Sequence, residues 1–131
     1  KLTAALEGSS CKISVDRVHD GVILISIDGH DVGEFGNAPM RLVDALMPDA
    51  GTAKLFIDAR QALGVTVGVS SAWANWLARS CHRFSHVHML TSSRQVGVSA
   101  GFVRRFTELQ GQMYLYTDAS AFERLLVQAA A

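Results

Sequence analysis

The stretch AKLFIDARQALGVTVGVSSAW, residues 53–73, decides the fold. Its apolar run, residues 55–57, is typical of a strand buried on both faces, and the strand is predicted to end at Asp58. A loop over residues 59–69 is predicted to follow. Ser70 and Ser71 then open an amphipathic helix, because serine caps the free backbone N–H groups of a helix start. Strand, loop and helix recur in this order along the chain, which predicts parallel strands joined by helices.

Four such units are predicted in succession. The strands are expected at residues 22–28, 53–58, 87–91 and 113–116. Helices follow at residues 38–47 and 71–84, then one ending at Leu109 and one capped by Asp118. In the third helix Phe102, Val103, Phe106 and Leu109 are expected to face inward.

A β-hairpin is predicted before the first unit. Residues 11–17 alternate between apolar and polar side chains, and Asp20-Gly21 is a strong signal for a tight turn. The predicted fold class is therefore α/β. It has an N-terminal β-hairpin followed by four β-α units, forming a mixed, mostly parallel sheet with helices packed against it.

Length and composition bound the class of protein. The 131 residues fit one domain, predicted over residues 11–128, with a flexible leader at 1–10 and a tail at 129–131. The net charge is zero, which argues against nucleic-acid binding and is compatible with a homodimer. No apolar run is long enough for membrane insertion, and the N-terminal sequence predicts no signal peptide. Cys11 and Cys81 are expected to be free thiols in a reducing cytoplasm.

The order of elements resembles the STAS domain, the fold of bacterial anti-sigma factor antagonists. The features that carry the resemblance are the strand LFID (residues 55–58), the helix start at Ser70 and Ser71, the strand HML (88–90) and the segment YTDASAFERLL (116–126). The chain looks closest to uncharacterised bacterial STAS-like proteins grouped with the antagonists. The resemblance covers about residues 11–128.

The resemblance implies a non-enzymatic regulatory domain that binds a protein partner, such as a kinase-like anti-sigma factor or another regulator. It places the binding surface on residues 59–69 and the following helix start. It also implies phosphorylation at Ser70 or Ser71. The family's motif is Asp-Ser-Ser/Thr-Gly, whereas this chain has Gly-Val-Ser70-Ser71-Ala-Trp, without the acidic residue and the glycine. Capping of the helix explains the serines without phosphorylation.

Two alternatives use the carboxyl edge of the predicted sheet, where ligands of parallel α/β proteins bind. The first is a small-molecule or lipid-binding module. The second is a small enzyme in which Asp28, His30 and Asp58 perform acid–base chemistry. Arg60 and Arg94 are predicted near the same rim, where they could bind an anion or an acidic surface of a partner.

Two further patterns are weaker. Gly97-Val-Ser99-Ala-Gly101 matches the nucleophile elbow of hydrolases, but all five histidines precede Ser99 and the predicted strand ends well before it. Cys81, His82, His86 and His88 are the densest group of metal-capable side chains, yet they straddle a helix end and a strand. We therefore predict no catalytic residues, no metal and no cofactor.

Overall fold

A six-stranded sheet organises the chain. The computed structural model describes residues 2–107, 109 and 111–131. In chain order the elements are β1 Leu2–Glu7, β2 Cys11–His19, β3 Val22–Asp31, α1 Ala38–Leu46, β4 Ala53–Val65, α2 Val67–Ser80, a 3-10 turn Cys81–Arg83, β5 Phe84–Thr91, α3 Arg94–Phe106, β6 Met113–Tyr116 and α4 Ala119–Ala129.

The strands lie in the sheet in the same order as in the chain. β1, β2 and β3 are antiparallel neighbours, and β3 to β6 are parallel. Asp20 and Gly21 form the turn between β2 and β3, and Gly21 has the positive φ of 72° that such a turn requires. The predicted hairpin and the predicted mixed, mostly parallel sheet are confirmed.

Helices cover the two faces of the sheet unequally. Leu55 and Ile57 of β4 belong to a core shared with α1, α2 and α3, whereas Phe56 packs against Phe122 of α4. Because successive side chains of a strand point to opposite faces, three helices lie on one face and α4 lies on the other. The predicted cap of α4 is confirmed: the Asp118 carboxylate accepts the Ser120 N–H at 3.0 Å.

A strand occupies most of the segment predicted as a flexible leader. β1 pairs with β2 from Leu2 opposite Arg17 to Glu7 opposite Lys12, while Lys1 lies outside the described residues. Beyond the strand, the Glu34 carboxylate accepts the backbone N–H of Ser9 at 3.1 Å. The structure differs from the prediction here because the edge of β2 and this distant carboxylate organise the segment, and neither is visible in its own pattern.

The predicted loop after Asp58 is wrong, because β4 continues to Val65. β5 ends at Thr91, which lies opposite Ala59, so no strand of the described chain pairs with the later residues of β4 on that side. Side chains from the residues after β5 bond the backbone of β4 there instead. Ser92 Oγ donates to the Arg60 carbonyl at 2.6 Å, and Ser93 Oγ donates to the Leu63 carbonyl at 3.3 Å.

The Gln95 side chain bonds the backbone of β4 at its last residue, where a neighbouring strand is also missing from the described chain. Its Oε1 accepts the Val65 N–H at 2.8 Å, and its Nε2 donates to the Val65 carbonyl at 3.0 Å. The primary amide thus makes the paired hydrogen bonds that a neighbouring strand would make. On the side of β4 away from β3, one side chain of α3 thus bonds the backbone of the last residue of the strand.

α2 begins earlier than predicted. Its first residue is Val67, and Thr66 is the N-cap, with Oγ1 accepting the Val69 N–H at 3.2 Å. Ser70 and Ser71 therefore lie inside the helix and do not cap it. Glycines and β-branched residues in this segment are poor helix formers, which explains why the sequence predicted a loop. At the other end α2 stops at Ser80, and Phe84 opens β5.

The inward face of α3 also differs from the prediction. Val103 and Leu109 are buried as expected, but Phe102 and Phe106 are exposed. Val96, Ala100 and Val103 supply the buried positions of the helix. The helix carries two apolar stripes, and the sequence pattern does not show which one faces the sheet. The prediction that Phe102 and Phe106 face inward is therefore wrong.

We expect Gln95→Ala to weaken the end of β4 selectively. Two exposed hydrogen bonds are lost, which should lower the free energy of unfolding by about 1–2 kcal/mol and speed hydrogen exchange at the Val65 amide. The matched control is Gln61→Ala, an exposed glutamine of β4. Urea unfolding and amide exchange measured on both variants check this, and equal effects would contradict it.

Candidate functional site

The candidate site lies where β3 and β4 run past the rest of the sheet. His30 is opposite Gly64, and Asp31 is opposite Val65. The Thr66 N–H donates to the Asp31 carbonyl at 3.1 Å, immediately before α2 begins. This end of the sheet therefore brings the end of β3, the end of β4 and the first turns of α2 together.

Asp31 is the buried carboxylate of this region. It is 7% exposed, and its Oδ1 accepts the Gly33 N–H at 3.1 Å. Burial raises the pKa of the Asp31 carboxyl; the bond from Gly33 opposes this shift, and the charge of Glu34 adds to it. Asp31 is not among the site residues predicted from sequence, because the apolar pattern predicts that the strand ends at Asp28. The signal was present as a second aspartate three residues later, at the true end of β3.

Two cavities meet at Asp31. The inner one, of about 70 Å³, lies between the sheet and helices α2 and α3. The outer one, of about 260 Å³, lies against the segment between β3 and α1 and the start of α2. Asp31, Val69 and Trp73 line both, so these three side chains form the boundary between them.

The two predicted serines have different environments. Ser70 is 8% exposed and its hydroxyl contacts that of Ser99 on α3, at the wall of the inner cavity. Ser71 is exposed. It lies one helical turn after Val67, so these two side chains share a face of α2. Only Ser71 is accessible from solvent in this arrangement.

Three large apolar side chains are exposed at this end of the molecule. Val32 follows β3 and is 56% exposed, Leu63 of β4 is 63% exposed, and Val67 of α2 is 84% exposed. We call this group of three the tip surface. It covers the end of β3, the end of β4 and the start of α2, the elements that the backbone pairing holds together.

The acid–base set proposed from sequence lies on the neighbouring strands β3 and β4. Asp28 and His30 are exposed on β3, with Asp28 opposite Gln61. Asp58 lies opposite Ser26 in the middle of β4, where its Oδ1 accepts the backbone N–H of Arg60 at 3.2 Å. Among the described residues no hydrogen bond joins any two members of the set.

The two predicted arginines have different environments. Arg60 forms ion pairs of 3.0 Å with Asp58 and with Glu123 of α4. Arg94 is the first residue of α3 and is exposed. Because the Arg60 guanidinium already has two carboxylate partners, fewer of its N–H groups are left for a further anion, and anion binding by Arg60 and Arg94 stays a prediction.

The Gly-x-Ser-x-Gly motif is part of a helix. Ser99 lies within α3, away from any turn from strand to helix, so Gly97-Val-Ser99-Ala-Gly101 does not form a nucleophile elbow.

Cys11 and Cys81 are free thiols. Burial raises the pKa of Cys11 to about 11, and the nearby carboxylates of Asp31 and Glu34 add to the shift. The Cys11 thiol is therefore protonated at neutral pH.

The histidines form an aromatic stack. His86 and His88 lie on β5 with ring centroids 5.8 Å apart, whereas His82 is in the exposed 3-10 turn. His88 is 7% exposed, stacks on Phe56 at 4.7 Å, and has its Nδ1 2.8 Å from the Tyr116 hydroxyl oxygen. Within the described part of the chain, no three metal-ligating side chains come together.

His88 stays neutral at physiological pH. Burial, followed by the charges of His86 and Lys54, lowers its pKa to about 4. A neutral imidazole packed between aromatic rings acts as part of the core beneath α4.

Comparison with solved structures identifies the fold. An anti-sigma factor antagonist from Mycobacterium paratuberculosis has a TM-score of 0.58 and 16% identity, with 93% of this chain and 99% of that chain covered. An uncharacterised protein from Shewanella loihica with a SpoIIAA-like fold has a TM-score of 0.61 and 15% identity, with 89% and 94% covered. The chain thus has the STAS-like, SpoIIAA-like fold that the resemblance predicted.

Sequence comparison adds no closer relationship: no protein-family model matches the chain, and no curated protein does. In the part of the chain that the structure describes, none of the helices is both long and apolar enough to span a bilayer.

We expect the stability of the protein to fall as the pH is lowered towards the folded-state pKa of His88. In the unfolded chain an ordinary histidine takes up a proton near pH 6.5, whereas folded His88 does so only at about 4. Unfolding is therefore coupled to proton uptake between these values. The predicted loss is about 2 kcal/mol between about pH 7.5 and about pH 5, present above the unfolded pKa and lost below it.

Urea unfolding at the two pH values measures this loss. His88→Phe should reduce the pH dependence by about that amount, whereas the control His82→Asn, in the exposed turn, should keep the pH dependence attributed to His88. A wild-type pH dependence equal to that of His88→Phe would show that His88 does not cause it.

Proposed function

We propose that this chain is a non-enzymatic regulatory domain that binds a protein partner through the tip surface. The observation that carries the proposal is the exposure of Val32, Leu63 and Val67 at one end of β3, β4 and α2. Large apolar side chains grouped on a surface mark interaction sites, since their exposure to water is unfavourable until a partner covers them.

The kind of partner is proposed from the fold. One structural neighbour is an anti-sigma factor antagonist, and the tip surface includes the helix start at which the resemblance places partner binding. We infer a cytoplasmic bacterial regulator whose partner is a kinase-like anti-sigma factor. The positions of Asp28, His30 and Asp58, which share no hydrogen bond in the described chain, favour binding over catalysis.

Ser71 is the proposed site of regulation by phosphorylation. It is exposed and lies one turn after Val67, whereas the Ser70 hydroxyl is buried against Ser99. A phosphate on Ser71 would add about two negative charges beside the apolar tip surface. It would remain close to the N-terminal turn of α2, where negative charge is tolerated, so docking could change without unfolding the helix.

Partner binding should depend on the tip surface. In calorimetric titrations with a purified kinase-like anti-sigma factor from the same bacterium, Leu63→Ser combined with Val67→Ser should weaken binding about tenfold or more, because two apolar anchors are lost. The control is Val127→Ser, which removes an equally exposed valine on α4. Absence of wild-type binding, or equal weakening by the control, would contradict the proposal.

Phosphorylation should distinguish the two serines. Incubation with the same kinase and ATP, followed by intact-mass analysis, should show one added phosphate on the wild type and on Ser70→Ala. Ser71→Ala should remain unmodified, because the accessible hydroxyl is gone. A wild type that gains no phosphate, or a phosphate that persists in Ser71→Ala and disappears in Ser70→Ala, would show that the assignment is wrong.

A further inference from the structure

The inner cavity is an apolar space that facing small residues leave open. Ala59 and Ala62 of β4 lie on the sheet side, and Ala100 of α3 lies on the helix side. Protein interiors contain few voids larger than a water molecule, and each void costs stability. Its volume of about 70 Å³ is roughly half of the ~150 Å³ cavity that takes up benzene, so a short alkyl group fits.

The outer cavity adjoins this space. Its walls are the segment after β3, including Phe35 and Asn37, and the start of α2, including Thr66. Among the described residues, Asp31, Val69 and Trp73 are common to both walls, so the two cavities meet at these side chains. A molecule with a polar end in the outer cavity could therefore place an apolar end in the inner one.

The polar end is selected by Asp31. Among the described residues, it is the only ionisable side chain in the walls of either cavity, and it is more than nine-tenths buried. One carboxylate oxygen accepts the Gly33 N–H, and the charge of Glu34 lies nearby. A buried carboxylate without a cationic partner favours a ligand that brings a positive charge and donates hydrogen bonds.

The aromatic residues support the same choice. Trp73 lies in the shared wall, and Phe35 lies in the outer cavity. Aromatic rings attract ammonium groups, and a carboxylate beside aromatic rings is suited to an organic cation. A single carboxylate offers too few ligands for a divalent metal ion, and it would repel the headgroup of a fatty acid.

We propose that the two cavities form one binding site for a small primary amine, with its ammonium group at Asp31 and its alkyl group in the inner cavity. This site adjoins the tip surface and shares Val32 with it, since Val32 also lines the outer cavity. Val69 lines the cavity while Val67, two residues earlier, belongs to the tip surface. An occupant would stabilise the first turns of α2, the helix that presents Val67 and Ser71.

The test uses three probes of equal chain length: n-pentylamine, n-pentanol and pentanoate. Titrations followed by backbone amide NMR shifts at neutral pH should show that pentylamine binds about tenfold or more tighter than pentanol, because a charge-assisted bond to Asp31 is added. Pentanoate should not bind. The shifts should be centred on β3, β4 and α2 around the cavities.

Variants separate the two ends of the ligand. Asp31→Asn should remove the preference for pentylamine over pentanol, and Ala100→Leu should abolish binding of both by filling the inner cavity. The control Ala78→Leu adds the same side chain on the exposed face of α2 and should bind as the wild type does. The two variants test different atoms, so failure of one to fold leaves the other decisive.

Three results would overturn the proposal. They are equal affinity for pentylamine and pentanol in the wild type, binding of pentanoate as tight as that of pentylamine, and unchanged binding in Ala100→Leu. No partner protein and no kinase are present in these titrations, so their outcome is independent of partner binding and of phosphorylation.

Discussion

Backbone pairing along the free side of β4 is the constraint on which the rest of the site depends. β5 ends opposite Ala59, yet β4 continues to Val65, and the backbone N–H and C=O groups on that side of β4 need other partners. Ser92, Ser93 and Gln95 supply them from the connection to α3. Because β4 is held to its last residue, α2 starts immediately afterwards, and Asp31 is enclosed by both.

The sequence predicted the features that depend on local patterns. Alternation over residues 11–17 and the pair Asp20-Gly21 located the hairpin of β2 and β3, because side-chain period and turn chemistry are local properties. The apolar strands separated by helical segments predicted the parallel part of the sheet. Asp118 and Phe122 located α4 in the same way, since a cap and an apolar stripe are both readable in sequence.

The features that it missed depend on partners far away in the chain. Residues 59–65 contain glycine and polar side chains, and they form a strand because β3 pairs with them on one side and the side chains of residues 92–95 bond them on the other. Because β4 extends to Val65, α2 begins at Val67, earlier than predicted. Both serines therefore lie within the helix, where Ser70 is buried and Ser71 is exposed. The burial of α3 also depends on distant residues. The helix has two apolar stripes, and the position of the sheet decides that the stripe with Phe102 and Phe106 is exposed.

The contrast between the two cysteines has a practical consequence. Cys11 is buried in the sheet and its thiol is kept protonated, whereas Cys81 is half-buried where α2 ends. Thiolates rather than thiols react with maleimides and iodoacetamides. The natural chain therefore offers one position for a fluorescent or spin label without mutagenesis. A label at Cys81 would report on α2 from the end opposite the candidate site, so it would leave the cavities and the tip surface unobstructed.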